Sequence, residues 1–458
     1  MDAGLLPIIM FAGTIIALLL GFPVAMTLGG SALLFAYLGD WLGLFNAGML
    51  NVFPLRIIGI MKNEPLIAVP LFVFMGVMLE KSNIAGDLLH SMGRLFGALR
   101  GGLGISVLIV GALMAASTGI VGATVVTMGL MSLPVMLKAG YSPKLASGLI
   151  CSSGTLGQII PPSIVLIILG DILQGANEQA AFKQGNLVPE PITAIDLFAG
   201  ALIPGLIMVL LYIVLQIGLA IWAPKTCPAL LDDPENDLMP VKSFFSVIAP
   251  PLILIFLVLG SILAGVATPT ESAAVGAIGA CILASNRGKL SVSMLTFVAR
   301  ESVKITSMIF MILIGASLFS LVFRGFGGDE LIEHFLINLP GGEVGAFLIV
   351  MVAMFLMGFF LDFIEIIFIM VPLVGPPLIG MGFDPIWLGV MIAVNLQTSF
   401  LTPPFGFSLF YLRGVAPSIV KTMDIYLGVM PFIGLQLLAL LIFWSFPEII
   451  TWLPKLIF

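Results

Sequence analysis

The sequence predicts an all-α polytopic membrane protein built from two inverted repeats, and three observations carry that prediction. The first is composition: 60% of the 458 residues are hydrophobic and only 9% are charged. A soluble domain carries roughly 25% charged residues and cannot keep so apolar a surface in water. The second is that uncharged apolar runs of about 18 residues or more recur along the whole length, each able to span a hydrocarbon core about 30 Å thick. The third is a set of glycine and proline landmarks that return at nearly one offset. Gly101-Gly102 returns as Gly341-Gly342, 240 residues on, and Gly140 to Pro143 returns as Gly382 to Pro385, 242 residues on. Ile160-Pro161-Pro162 returns as Thr402-Pro403-Pro404, again at 242. Gly21 to Pro23 and Asp196 to Gly200 have looser echoes at Ala267 to Pro269 and Asp424 to Gly428. One such match is cheap in a glycine-rich chain; five in one order are not.

The runs give about ten crossings, at 5–20, 24–39, 66–80, 141–175, 194–222, 244–263, 269–285, 305–324, 384–414 and 422–446. Between them, 102–138 and about 343–380 are expected to dip in and return as re-entrant hairpins. With that threading, 13 of the 18 Lys and Arg fall on one side, leaving Arg56, Lys62, Lys183, Arg324 and Lys455 opposite. The richer side is then cytoplasmic. The first hairpin enters from the cytoplasm and the second from outside, so the repeats are antiparallel: 1–222 and 244–458, joined by a cytoplasmic linker at 223–243. Such an arrangement is the architecture of many secondary carriers. The charged segments 82–98 and 327–339 are expected to lie at the interface, and the polar stretch 174–193 to be a loop on the outer face.

Several functions are excluded by supply. The net charge of −6 is spread over loops and implies no nucleic-acid partner. Cys151, Cys227 and Cys281 have no pairing or metal spacing. His90 and His334 lie in polar segments, which leaves no histidine cluster in the membrane. No GxxxxGK[ST] phosphate loop occurs. The first apolar run opens almost at Met1 and leads into further spans, so it is expected to stay as a helix.

The chemistry is expected where the backbone breaks. Residues 141–175 and 384–414 would each run about 45–50 Å as a straight helix. Each holds a Pro-Pro preceded by small polar residues, Ser152 to Gln158 and Asn395 to Ser399. Two successive prolines interrupt the hydrogen-bond ladder, and broken backbone at membrane depth survives only inside protein or beside a watery cavity. The freed carbonyls and hydroxyls are hard oxygen ligands for a small cation, and the next half-helix offers its positive N-terminus to an anion. A simple packing kink is the alternative, which the duplication argues against. The hairpin tips should face the breaks: Ala116 to Gly122 in the first and the region of Asp362 in the second. Asp362 and Glu365 are the only acids of the run 344–380, where acids are costly and usually functional. A plain helix cap is the other reading of Asp362. Glu271 reads as a structural N-terminal residue after Pro269, and Arg413 as a snorkelling side chain.

Taken together, Gly21 to Ala25, Val69 to Phe72, Thr268 to Gly276, Gly154 to Gly157 before Ile160 to Ser163, and Val394 to Leu396 before Leu401 to Pro404 resemble one family. It is the large membrane subunit of the tripartite ATP-independent periplasmic (TRAP) transporters, and the resemblance covers essentially the whole chain. It implies a bacterial or archaeal inner-membrane carrier that couples a sodium gradient to uptake of an organic carboxylate by an elevator mechanism, with no cofactor and no enzymatic activity. It also implies two partners, a small four-helix membrane subunit and a periplasmic substrate-binding protein. The expected sodium ligands are Ser117, Thr118, Gly119, Gly122, Gly154, Thr155, Gly157, Asp362, Thr398, Ser399 and Thr402; Thr118, Ser163, Asn395 and Thr402 are the expected substrate contacts. Where the family usually has Ser-Gly-Ser-Ser at the first tip, this chain has Thr118 to Val121, and in place of Asp-Pro-Thr it has Asp362-Phe363-Ile364. Ligation then leans on backbone carbonyls or on Ser117, Thr118 and Asp362.

Two other readings stand beside it. One is a single-component sodium–carboxylate symporter with related hairpins. The other is an intramembrane enzyme or a redox-complex anchor, which would need paired haem-ligand histidines, a serine–histidine pair or an acid dyad.

Overall fold

The computed structural model describes residues 5–82, 84–229 and 241–458, and these residues contain helices and turns but no strand. In the first half the helices are α1 (Leu5–Leu19), α2 (Val24–Trp41), α3 (Phe53–Lys62), α4 (Glu64–Lys81), α5 (Ile84–Phe96), α6 (Gly102–Thr118), α7 (Val121–Lys138), α8 (Pro143–Thr155), α9 (Ile164–Lys183) and α10 (Ala194–Trp222). The second half holds α11 (Val241–Leu263), α12 (Pro269–Asn286), α13 (Val292–Gly325), α14 (Gly328–Ile337), α15 (Gly342–Met357), α16 (Phe363–Gly380), α17 (Pro385–Leu401), α18 (Phe407–Val415), α19 (Thr422–Ser445) and α20 (Glu448–Ile457).

Small residues set the closest helix approaches, as expected where lipid removes the hydrophobic drive between helices. A Cβ on Gly315 of α13 would stand 2.5 Å from the Ala25 carbonyl oxygen of α2, and one on Gly276 of α12 would stand 2.6 Å from the Met75 sulfur of α4. α8 lies so close to α19 that a Cβ on Gly148 would stand 2.1 Å from the Gly428 carbonyl oxygen. α7 packs on α18, and α16 on α9. Trp387 of α17 closes one end of the core, its ring centroid 5.1 Å from Phe347 of α15 and 5.5 Å from Trp444 of α19. Some buried polar side chains are paired across helices, as where Gln436 Nε2 of α19 donates to the Tyr212 hydroxyl of α10 at 2.8 Å.

Both long runs are broken where the prolines stand. α8 ends at Thr155, a 3₁₀ turn covers Leu156–Gln158, and α9 starts at Ile164; α17 ends at Leu401 and α18 starts at Phe407. Both Pro-Pro peptide bonds are cis. The hairpin pairs α6–α7 and α15–α16 fall within a residue of 102–138 and 343–380.

Several boundaries differ from the sequence-based expectation. The stretch 174–193 is not all loop, because α9 continues to Lys183; its Gln179 lines a cavity shared with Arg56 of α3 and Arg324 of α13, while Lys183 stays exposed. α13 begins at Val292 rather than near 305, carrying Arg300, Glu301 and Lys304 on extra turns, and the Ser291 hydroxyl caps its start by accepting the Met294 N–H. The interfacial helices are shorter than expected, Ile84–Phe96 and Gly328–Ile337. α3 and α20 are amphipathic additions that no long apolar run announced. The described ends of the linker at 223–243 are tied down: Gly101 N–H donates to the Cys227 carbonyl and Ser142 N–H to Thr226, both at 2.9 Å, and α11 starts at Val241. The middle of the linker, 230–240, lies outside the described residues.

Length and apolarity alone do not return ten crossings. Five described helices pass that test, Val121–Lys138, Ala194–Trp222, Val292–Gly325, Phe363–Gly380 and Thr422–Ser445, with the pair Ala47–Lys62 and Glu64–Lys81, bent by 54°, as a sixth. Two of the five are hairpin arms. The breaks at Pro161-Pro162 and Pro403-Pro404 divide two further spans into pieces, and α1, α6, α15 and α17 have 15 to 17 residues each.

Candidate substrate and cation site at the paired helix breaks

The first hairpin turns at Gly119, whose φ of +61° lies in the left-handed region that glycine adopts without strain. This turn sits over the first break: a Cβ on Gly119 would stand 3.4 Å from the Ile164 amide nitrogen at the start of α9. Gly157 lies against the hairpin from below, its Cβ position 3.1 Å from the Ala115 carbonyl oxygen. On the other side Gly76 of α4 abuts the tip, with a Cβ position 2.7 Å from Thr118 Cα and 3.1 Å from the Ser117 carbonyl oxygen. The tip is thus a fixed frame of main-chain carbonyls held between α4 and α9.

Its side chains are already engaged as donors. Ser117 Oγ donates to the Met114 carbonyl at 2.9 Å, and the hydroxyls of Thr118 and Thr124 are paired at 2.8 Å. Thr155 Oγ1 donates to Ser152 at 2.9 Å, and Ser163 Oγ, at the N-cap of α9, donates to Gln158 at 3.0 Å. A hydroxyl that donates to a carbonyl keeps oxygen lone pairs for a cation or a donor. Gly154 packs on Val125 of α7 and contributes only backbone.

The second break repeats this pattern with other residues. Thr398, Ser399 and Thr402 donate their hydroxyls to Val394, Leu396 and Thr398 carbonyls at 2.8, 2.9 and 2.7 Å. Asn395 Nδ2 donates to the Met351 carbonyl of α15 at 2.8 Å, tying the break to the hairpin. Gly358, near the second tip, has its Cβ position 2.0 Å from Ser399 Oγ. Asp362 caps α16: Glu365 Oε2 accepts its N–H at 3.0 Å, while Asp362 Oδ1 is buried with no partner. No hydrogen bond joins the Asp362 side chain to Asn395, Thr398, Ser399 or Thr402 among the described residues. Gly122 lies apart from the first break, with its Cβ position 3.0 Å from the Tyr411 ring of α18. That ring stands within electrostatic range of Asp362 and Glu365.

The breaks meet each other at Gln397, whose Nε2 donates to Thr155 Oγ1 at 3.4 Å. Gln158 is fully buried with both amide atoms unpartnered, and Gln397 Oε1 is unpartnered as well. A buried amide without partners costs free energy, and both glutamines keep unused hydrogen-bonding atoms at the breaks. The sequence showed them only as members of polar clusters. Among the described residues no group of His, Cys, Asp and Glu gathers three to hold a metal, so any cation here would be held mainly by carbonyl and hydroxyl oxygens, with Asp362 as the one carboxylate at the second tip. Glu271 makes a capping box with Thr268, accepting its N–H at 2.8 Å, and Arg413 Nη1 donates to the Val420 carbonyl at 2.7 Å; neither reaches the breaks.

A protein-family model described as "Tripartite ATP-independent periplasmic transporter, DctM component" matches residues 11–449. The C4-dicarboxylate TRAP transporter large permease protein DctM of Vibrio cholerae is 28% identical, over 96% of this chain and 95% of its own length. The ectoine TRAP transporter large permease protein TeaC of Halomonas elongata is 28% identical, over 98% of this chain and 99% of its own. The sialic acid TRAP transporter permease protein SiaT of Haemophilus influenzae is 25% identical, over 97% of this chain and 67% of its own. Among solved structures, the YdaH transporter of Alcanivorax borkumensis superposes with a TM-score of 0.63 over 88% of this chain and 90% of that one; at 14% identity this likeness is one of fold. A polytopic helical chain with two proline-broken helices, matched almost end to end by this family, belongs to the DctM family of TRAP transporter large permeases, which are membrane carriers and not enzymes.

Proposed function

We propose that this chain performs sodium-coupled uptake of an organic carboxylate across the bacterial inner membrane, with the substrate delivered by a periplasmic binding protein and a small four-helix subunit as membrane partner. Substrate and sodium bind at the paired breaks, under the two hairpin tips. The helices that carry the breaks and tips slide as one body against α2, α4, α12 and α13. The observation that carries this reading is the contact between Thr155 and Gln397, residues 242 positions apart. Two positions related by a twofold operator come within hydrogen-bond distance only near its axis, so the breaks lie where an inverted repeat would bring them together. The reciprocal packing of α2 on α13 with α12 on α4, and of α7 on α18 with α16 on α9, supports the same operator. The carbonyls and hydroxyls at both breaks suit a small hard cation, and the free N-terminus of α9 suits a carboxylate.

The test is uptake into proteoliposomes holding the chain and its small subunit, with the binding protein added outside. Succinate is the first substrate to try, because several relatives are named for C4-dicarboxylates. An inward sodium gradient should drive accumulation and a potassium gradient should not. Full uptake by the chain alone would favour a one-component symporter instead. Cysteines placed at Gly101 and Gly342 should react with impermeant reagents from opposite sides; labelling of both from one side contradicts the inverted topology.

A further inference from the structure

Away from the breaks, Arg56 of α3 and Arg324 of α13 line one cavity of ≈ 370 Å³ with Gln179 of α9, Ser317 and Pro372. Both arginines are half-buried, and neither takes part in any of the ion pairs found among the described residues. Arg56 Nη1 donates to the Ser317 carbonyl at 3.4 Å and Arg324 Nη2 to the Pro372 carbonyl at 3.3 Å, both long bonds to neutral acceptors. Arg324 Nε is buried with no partner. The acids nearby are engaged or do not pair: Asp171 accepts from Asn63 at 2.6 Å, Glu178 accepts from Gln174 at 3.3 Å, and Glu333 pairs with Lys183. Asp329, in the first turn of α14, is within electrostatic range of Arg324 but makes no ion pair with it.

Guanidinium groups stay charged in any protein environment, so the cavity holds two partly desolvated positive charges with unused donors. Such an arrangement is costly unless an anion neutralises it. We propose that Arg56 and Arg324 form a binding site for a small oxyanion, carboxylate- or phosphate-sized, separate from the paired breaks. The planar donor forks of two arginines match the two oxygens of such a group, Gln179 supplies a neutral donor, and the volume admits one small acid with water. Arg56 and Arg324 sit on α3 and α13, whereas Gln179 and Pro372 sit on α9 and α16. An anion held here would therefore tie the helices next to the breaks to the surrounding helices. That consequence rests on the elevator reading; the site does not.

The test reads binding and not transport, so its failure leaves the proposed function untouched. Succinate and inorganic phosphate are titrated separately by calorimetry into the purified chain in detergent, in dilute potassium chloride without sodium, so that sodium-dependent binding at the breaks is silent. The expected result is saturable binding, weakened about tenfold or more in Arg56→Gln and in Arg324→Gln. Arg56→Lys keeps the charge without the fork and should fall between. Arg413→Gln, remote from the cavity, should match wild type. If Arg324→Gln does not fold, Arg324→Lys and the two Arg56 variants decide. Absence of saturable binding in the wild type, or wild-type affinity in both glutamine variants, overturns the site. Binding seen only with phosphatidylglycerol vesicles and not with the free anions also overturns it, in favour of a lipid headgroup.

Discussion

The two hairpin tips do the same structural job with different chemistry. The first contains no acid; it turns at Gly119 and presents carbonyls of Ser117 and Thr118 framed by Gly76 and Gly157. The second contains Asp362 and Glu365, and its surface is aromatic, with Phe360 and Phe405 ring centroids 5.3 Å apart. Glycine lets backbone approach backbone at the first tip, which fixes oxygen positions without charge. At the second, Asp362 Oδ1 is buried without a hydrogen-bond partner at the start of α16. The backbone plan is shared, while the way each tip would hold a cation is not: main-chain dipoles in one case and a formal charge in the other.

That contrast orders the expected effects of mutation. Asp362→Asn keeps shape and hydrogen-bonding capacity but removes the charge, and it should nearly abolish sodium-driven uptake while membrane insertion and assembly remain normal. Wild-type uptake with wild-type sodium dependence would leave Asp362 as a helix cap and move the second cation site onto the backbone of Asn395 to Thr402. Next comes Gln158→Leu. Because both amide atoms are buried without partners, an apolar side chain of similar size should leave the melting temperature unchanged or raised, yet uptake should drop at least tenfold. A lower melting temperature together with normal uptake would show that Gln158 is structural. At the first tip, Thr118→Val removes one hydroxyl and little volume. It should raise the sodium concentration for half-maximal uptake by about tenfold or less, the scale of one ordinary hydrogen bond. Unchanged dependence would assign that tip wholly to carbonyls. The smallest effect belongs to Glu271→Gln, an exposed cap, which should lower thermal stability slightly and leave uptake per folded molecule as it was.

Much of the fold was legible because proline and glycine act at fixed places in the backbone. Pro161-Pro162 and Pro403-Pro404 interrupt their helices where the sequence says they must, and Gly101 and Gly341 open the hairpins with positive φ. What escaped was polar helix. Asn177 to Lys183 look like loop in a hydropathy reading, but they continue α9, where Gln179 shares a cavity with the arginines of α3 and α13. α3 and α20 are too short and mixed in polarity to register as apolar runs. In the site, the hydroxyl-bearing residues were visible from their place beside the prolines. The importance of Gln158 and the meeting of Thr155 with Gln397 were not, since each depends on which helices end up adjacent. The expected facing of Asp362 and the Asn395–Thr402 segment rested on symmetry alone. The hydrogen bonds instead link that segment to α15 through Met351, and tie the Asp362 N–H to Glu365.

The central claim is that each tip, with the break beneath it, holds sodium by its own means. It is tested most directly by equilibrium binding of radioactive sodium to the purified chain, comparing wild type with Thr118→Val, Asp362→Asn and the double variant. The account predicts saturable sodium binding in the wild type that potassium does not displace. It predicts weakened affinity in Thr118→Val, loss of a whole class of sites in Asp362→Asn, and both defects together in the double variant. Absence of saturable sodium binding in the wild type, or binding that all three variants leave unchanged, would contradict it.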